Sequence, residues 1–518
     1  MAGNRENEVV EVQEELMEIA LKRNFLMPSN EIYGHTAGFY DYGVVGAAMK
    51  RKIENAWREL FLWREGFYEI ESASVLPEPV LKASGHVDNF GDAMVQCRKC
   101  KTRVRADKLI EEVTKQKAEG MKPAEMDALI KEKGIKCGKC GGQYGEVVWF
   151  NLMFQTSIGA GEAEKGYLRP ETAQGIFTDF PRIFRALGAK LPLGVGQIGK
   201  SFRNEIAPRQ ALMRLREFTQ MELEYFFNSA EAKHPHFAEV REKRVRVRTA
   251  EMQQMEGGAG TVGSGETGVR EFSCSELVEK KIVPNEIVAY FMHRTSQFYE
   301  AVGLKREKFW FRQLLPNEMP HYSKGNFDVE VESGYGVVEL MGLAYRTDFD
   351  LASHAKASSQ DLSVHLEGVG RIMPHVVEPS FGVDRLFWAI LEQGYRKGGG
   401  AEKRDWAWFD FPPIVAPFDA CIFPLMKKDG LAEKAELVAR ELRHEGLSVY
   451  YDESGSIGKR YARADEIGVP YCITFDYESM EKGSVTIRYR NDGRQERVPI
   501  KGLGEKIRQL ILDAKTSL

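Results

Sequence analysis

The sequence predicts an α/β multidomain chain, with an α+β amino-terminal region on a mainly antiparallel sheet and a separate carboxy-terminal α/β domain. Three observations predict it. The chain has 518 residues, too many for one compact core. Strand-like runs, several joined by glycine-containing turns, alternate with helical stretches over most of its length. Near residues 395–413 the character changes: Gly398, Gly399 and Gly400 precede Pro412 and Pro413, and apolar and helical segments alternate beyond them.

Residues 8–24 have an amphipathic helical pattern that stops before Pro28. From Val44 to Trp63, Val45, Met49, Ile53, Trp57, Leu60 and Phe61 recur at helical spacing, and Gly66 suits the helix end. A strand is expected from Phe67 to Val75, ahead of Pro77 and Pro79. Residues 107–133 are charged and helical between two cysteine pairs, so 97–145 is expected to be an insertion. Strands are expected at 146–154, 193–206, 214–227, 327–332, 335–343 and 374–382, the last entering a helix near Asp384. Residues 228–310 form a second expected insertion, with a loop from Gly257 to Gly268. After 413, apolar 414–423, helical 430–445, apolar 447–451, helical 457–467 and apolar 470–475 give β-α-β-α-β and a mostly parallel sheet. The expected domains are therefore 1–412 and 413–518.

Hydrophobic residues at 43% and charged residues at 29% fit an ordinary folded protein, and no run of about 18 apolar residues suggests a membrane span. Glu6, Glu8, Glu11, Glu14 and Glu15 give the start neither the basic nor the apolar part of a secretion signal, so a cytoplasmic protein is expected. The net charge of −4 and the charge balance of 413–518 mean that any RNA contact comes from local patches.

Four of the seven cysteines form two CxxC pairs, Cys97 with Cys100 and Cys137 with Cys140. Four thiolates make a closed tetrahedral zinc site, structural rather than catalytic; reduced, metal-free cysteines are the alternative. Lys99, Lys101, Arg103, Lys108, Lys136 and Lys139 around them suit either contact with a nucleic-acid end or a solvated face. Cys274, Cys421 and Cys472 are isolated and expected to be buried.

The chemistry concentrates in Phe202-Arg203-Asn204-Glu205 and Arg214-Leu215-Arg216-Glu217-Phe218-Thr219-Gln220-Met221-Glu222, two strands around a loop that carries Pro208 and Arg209. Arg203, Glu205, Arg214, Arg216, Phe218, Gln220 and Glu222 cannot all be core residues of one sheet, because charges are seldom buried without partners. A solvated hairpin with salt-bridged rungs is one explanation. The other assigns tasks: a guanidinium grips an α-phosphate, Phe218 stacks on a base, and Glu222 meets an ammonium.

This segment resembles motif 2 of the class II aminoacyl-tRNA synthetases. Gly43 to Pro79 is similar to motif 1, which implies a homodimer, and Glu378-Pro379-Ser380-Phe381-Gly382-Val383-Asp384-Arg385 to motif 3. Ser84-Gly85-His86, Arg105-Ala106-Asp107, Arg169-Pro170-Glu171-Thr172-Ala173-Gln174-Gly175 and Glu339-Leu340-Met341-Gly342-Leu343-Ala344 resemble the dimeric glycyl-tRNA synthetases, from about residue 33 onward. The resemblance implies glycine activation by ATP and transfer to tRNA(Gly), with diadenosine tetraphosphate synthesis as a side reaction.

By the same resemblance Arg203, Arg385 and Glu339 act in catalysis, Arg385 on the γ-phosphate and Glu339 on Mg²⁺. ATP would also meet Asn204, Glu205, Met213 to Phe218 (Met213, Arg214, Leu215, Arg216, Glu217, Phe218), Leu340, Gly382, Val383 and Asp384. Glycine would lie among Arg105, Glu171, Phe218, Thr219, Gln220, Met221, Glu222, Glu378, Pro379, Ser380, Phe381 and Gly382. Glycine has no side chain to read, so its site must hold an ammonium with acidic groups and leave no room for a methyl. Clustered carboxylates carry raised pKa values unless a cation balances them.

The segment Ser456 to Pro470 resembles the anticodon-binding domain shared by several class II enzymes. Lys459, Arg460 and Arg463 would meet tRNA phosphates, unless they simply line a basic helix face, and Tyr461 or Phe475 a base. No RNA-binding hairpin is expected ahead of the core. Gly194-Val195-Gly196-Gln197-Ile198-Gly199 fits a dinucleotide fingerprint but precedes a strand, not a helix, and is set aside. His35, His86, His321 and His375 are expected to be structural, with His86 the one inside a family-like run. A synthetase for another small amino acid and a non-enzymatic tRNA-binding relative are the rival readings. Retention of Arg203, Arg214 and Arg385 disfavours the second.

Overall fold

The computed structural model describes residues 2–115, 118, 120–160, 164–208, 210–255, 268–319, 323–400 and 403–516. Arg209, His321 and the glycine tract from Gly257, apart from Gly268, lie outside the described residues.

The amino-terminal region is built on a nine-stranded sheet. Its strands, in chain order, are β1 (Tyr68–Glu69), β2 (Leu193–Phe202), β3 (Glu217–Phe227), β4 (Arg244–Arg248) and β5 (Arg270–Ser273). They continue with β6 (Phe309–Gln313), β7 (Asn326–Ser333), β8 (Gly336–Thr347) and β9 (His375–Gly382). The spatial order is β5-β4-β6-β7-β8-β9-β3-β2-β1. All neighbours are antiparallel except β2 with β1 and β4 with β6.

The main helices of this region are α1 (Ala2–Lys22), α2 (Val44–Arg58), α3 (Ala173–Ala186), α4 (Glu286–Ala301), α5 (Phe349–Ser358) and α6 (Val383–Gly394). The helix expected to reach Trp63 changes at Glu59 into a π-helical turn, Glu59–Trp63. The wider turn buries the consecutive residues Leu60, Phe61 and Leu62, which a regular α-helix would spread around its axis. The strand expected over 67–75 is paired only at Tyr68–Glu69 in this sheet, and Val75–Pro77 joins a separate three-stranded sheet.

One sheet face packs against α2 and α4, with Trp57, Phe61, Phe298 and Tyr299 around Phe381. On the other face α3 covers Val195, Phe226 and Val376 through Phe177 and Phe180. That cover stops short of the far ends of β3, β8 and β9, where a cleft opens.

The set-aside glycines are packing features of β2. A Cβ on Gly194 would collide with the Phe67 ring, one on Gly196 would lie 2.7 Å from Leu62 Cδ2, and one on Gly199 would strike the Arg169 guanidinium. The cysteine-bearing segment has a small sheet, Gly91–Gln96 between Arg103–Arg105 and Val148–Asn151, and two helices, Ala106–Thr114 and Pro123–Glu132.

The carboxy-terminal sheet comprises β10 (Ala420–Pro424), β11 (Val449–Tyr451), β12 (Tyr471–Phe475), β13 (Ser484–Tyr489) and β14 (Gln495–Pro499), in order β11-β10-β12-β13-β14. The expected parallel β-α-β-α-β unit is present, with α7 (Leu431–His444) and α8 (Ile457–Glu466) as crossovers. Two antiparallel strands complete it, so the sheet is mixed rather than mostly parallel. It joins the first region through buried groups: Asp465 accepts from Arg404 at 2.8 Å and from Arg488 at 3.0 Å, and Arg490 donates to Phe411 O at 2.6 Å. Arg23 of the segment after α1 pairs with Glu466.

Candidate active site

Strand alternation builds the floor of the cleft. In β3, Phe218, Gln220 and Glu222 face it, while Met221, Leu223 and Tyr225 enter the core. Register brings Glu222 beside Ser380 of β9, and Ser380 beside Gly342 of β8. Glu222 is buried and fully engaged. One oxygen accepts from Gln220 Nε2 at 2.9 Å and Ser380 Oγ at 2.6 Å, the other from the Thr172 N–H at 2.7 Å and the Thr172 hydroxyl. Glu171, just before Thr172, is held by Gln174 Nε2 at 2.8 Å and lies 3.5 Å from His86 Nε2.

Behind these stands Arg346, which donates to Glu378 at 2.8 Å and to Asp350 at 2.7 and 2.9 Å. The charge is unbalanced toward the negative. Burial raises the Glu378 carboxyl, Arg346 opposes, and Glu222 and Glu171 add to the rise, so that it is pushed up to about 7. Burial and then Glu171 raise Glu222. Glu171 goes the other way: burial would raise it, but His86 and Arg346 together hold it below the usual carboxylate range. Glu224, next on the same face, has both oxygens buried without a hydrogen bond, and burial with Glu378 lifts it far above that range. This is a pocket prepared for a small cation.

The neighbouring wall suits an anion. The Arg203 guanidinium lies 5.2 Å from the centre of the Phe218 ring. Arg214 is 3.7 Å from Glu205. Met213, Leu215 and Leu340 supply apolar lining. Arg385 reaches across from the start of α6, donating to Met213 O at 2.9 Å and Glu339 O at 2.8 Å. Beside Glu339 stands Asp328, whose carboxyl burial and Glu339 push up to about 8 despite Arg312.

Several sequence-predicted residues lie outside the cleft. The guanidinium of Arg216 binds Ala37 O and Glu205 O, Glu217 pairs with Lys200 at 3.1 Å, and the Asn204 N–H donates to Leu152 O. Arg105 is taken up by Asp92 and Asp107 in the cysteine-bearing module. Met221, Pro379, Phe381 and Val383 are core residues on the opposite parity. Thr219 is buried, and its N–H donates to Asp384, which also accepts from Tyr42 OH at 2.6 Å.

The reading from sequence missed Asp328, Arg346, Asp350 and Glu224. Arg346 lies near the end of β8 and Asp350 near the start of α5, so no single periodicity joins them in the sequence. Glu224 continues the alternation of Gln220 and Glu222, so period two would have found it.

The sulfurs of Cys97, Cys100, Cys137 and Cys140 all lie within 4.8 Å of one another, with Cys97–Cys140 at 3.6 Å and Cys100–Cys137 at 3.7 Å. Bonds of about 2.3 Å in a tetrahedron put sulfurs about 3.8 Å apart, so the set fits a zinc ion. In α8, Lys459 is exposed, Arg463 pairs with Asp452 at 2.6 Å, and Arg460 is buried against Pro424 O and Gly455 O.

A large antiparallel sheet with this cleft, joined to an α/β domain, defines a class II aminoacyl-tRNA synthetase architecture. Residues 419–510 match the anticodon binding domain family. The glycine–tRNA ligase of Methanocaldococcus jannaschii is 40% identical, covering 96% of this chain and 99% of the relative. The glycine–tRNA ligases of Methanothermobacter thermautotrophicus and Pyrococcus horikoshii are also 40% identical over 96% of this chain, covering 99% and 98% of their own. The chain belongs to the glycine–tRNA ligase family.

Proposed function

We propose that this chain joins glycine to tRNA(Gly) in two steps within the described cleft. A glycine carboxylate oxygen attacks the α-phosphorus of ATP in line, pyrophosphate leaves, and glycyl-adenylate forms. A 3′-terminal hydroxyl of tRNA then attacks the adenylate carbonyl, AMP leaves, and the glycyl ester remains. Neither step needs a protein nucleophile; positioning and charge stabilisation carry the rate. The observation that carries the reading is the meeting of Glu171, Glu222 and Glu378 with Arg203 and Arg385 in one cleft.

Glu171 and Glu378 take the ammonium, while Glu222 adds charge and orients Gln220, Ser380 and Thr172 through its four hydrogen bonds. Arg203 grips the α-phosphate, Phe218 stacks on adenine, and Arg385 holds the terminal phosphate. Glu339, with Asp328 beside it, offers oxygen ligands to Mg²⁺, which when bound neutralises phosphate charge. The four cysteines hold structural zinc, and 97–145 and 228–310 are insertions in a catalytic domain of 1–412, followed by 413–518. Trp63 at 61% exposure, on the turn that packs beside the edge strand β1, suits a homodimer face. Lys459 meets tRNA, as Arg463 does from its pair with Asp452. Diadenosine tetraphosphate synthesis is a side reaction: a γ-phosphate oxygen of a second ATP attacks the phosphorus of glycyl-adenylate, and glycine leaves. No described helix is long and apolar enough to cross a membrane, and a cytoplasmic location fits the work of tRNA charging.

The test is glycine-dependent exchange of labelled pyrophosphate into ATP. Exchange with glycine and loss of it in Glu222→Gln support the reading; no exchange with glycine overturns it.

A further inference from the structure

Arg203 has an unusual setting. Its backbone N–H donates to Arg216 O at 2.9 Å, but its guanidinium has no carboxylate or carbonyl partner among the described residues, and its buried Nε lacks a hydrogen bond. Two rings hold it instead. The Phe218 centroid is 5.2 Å from the guanidinium carbon and the Phe90 centroid 5.3 Å. Rings fix the plane of a guanidinium while leaving its donors free for an anion.

Phe90 belongs to none of the three motif segments. It closes the short helix His86–Asn89, directly before the sheet of the cysteine-bearing module. The module returns at Leu152, whose N–H donates to Phe90 O at 3.0 Å. Leu152 O in turn accepts from the N–H of Asn204, the residue after Arg203, at 2.6 Å. The Phe90 ring also lies 5.5 Å from the ring of His86, which faces Glu171. Backbone and ring contacts therefore run from the base of the module to both halves of the cleft.

We propose that Phe90 is a positioning residue for ATP: with Phe218 it clamps the Arg203 guanidinium in the plane that meets the α-phosphate. The proposal deepens the reading of Arg203 given above and rests on it. An aliphatic residue at 90 fills much of the space but offers no face to the cation.

The test is ATP affinity by calorimetry on the full-length protein, with Phe90→Leu and Phe90→Tyr in the Arg203 and Arg203→Ala backgrounds, and folding checked by circular dichroism. Phe90→Leu is expected to weaken ATP binding about tenfold when Arg203 is present. It should change affinity less than about twofold when Arg203 is alanine, because the clamp has nothing to hold. Phe90→Tyr, which keeps the ring, should stay within about twofold of the parent. Full affinity in Phe90→Leu, or an equal loss in both backgrounds, overturns the clamp while leaving the role of Arg203 intact. Unchanged ATP affinity in Arg203→Ala alone overturns the reading of Arg203 itself, and the clamp with it.

Discussion

Glu378 carries two opposed demands. Its carboxyl is raised from an ordinary value of 4.5 to about 7, by burial first and then by Glu222 and Glu171 against the pull of Arg346. The folded protein therefore keeps this proton to higher pH than the unfolded chain does. Its contribution to stability is intact below about pH 4.5, declines as pH rises, and is lost above about 7. Glu378→Gln should raise the melting temperature at about pH 8 and leave it nearly unchanged at about pH 4.5, while glycine activation falls at both. Thermal melts at the two pH values check the first part; an equal gain at both would show that charge is not the cause. In the wild type, the KM for glycine should fall as pH rises through about 7, because the ionised carboxylate attracts the ammonium. At this scale the alternation along its strand makes Glu222 legible in the sequence, whereas Glu171, Glu378 and Ser380 are legible only through the resemblance to the glycyl-tRNA synthetases. Arg346 and Asp328 are not, because strand pairing between distant segments brings β7 and β8 to the cleft, and Asp350 meets Arg346 from the start of α5.

Elements were placed more reliably than their packing. The strands expected at 193–206 and 214–227 became β2 and β3, and the helix after 382 began one residue early, at Val383. The same spacing could not reveal the π-helical turn at Glu59–Trp63, since three adjacent apolar residues fit a strand, a buried helix or this wider turn alike. Nor could it tell that Gly194, Gly196 and Gly199 make room for Phe67, Leu62 and Arg169. Gly194→Ala forces a methyl into the Phe67 ring and is expected to cost about 1–3 kcal/mol by overpacking. Chemical denaturation measures this; wild-type stability in the variant would remove the packing explanation. The cysteine module makes its own prediction. Metal analysis should find one zinc per chain in the wild type and none in Cys97→Ser, and a full zinc content in that variant would mean the ion is bound elsewhere.

At the scale of the whole molecule, the two regions share buried charge. Asp465 lies between Arg404, ahead of the carboxy-terminal domain, and Arg488 within it. Asp465→Asn removes the negative charge from this group and should destabilise the junction by about 3–5 kcal/mol. Calorimetry should then resolve two unfolding transitions where the wild type gives closer ones, and an unchanged profile would show that the docking does not depend on the charge. The balanced charge of 413–518 gave no warning of this arrangement: Arg460 belongs to the basic patch in sequence but turns inward in the fold. That burial leaves Lys459 as the exposed cation of α8, in a domain apart from the cleft, so the proposed RNA contact and the proposed chemistry fall on separate elements. The separation makes the central claim testable in one measurement, glycine-dependent pyrophosphate exchange without tRNA, compared among wild type, Arg203→Ala and Lys459→Ala. The account predicts exchange that survives in Lys459→Ala and falls by at least about a hundredfold in Arg203→Ala. Exchange that survives loss of Arg203, or that is lost with Lys459, would contradict it.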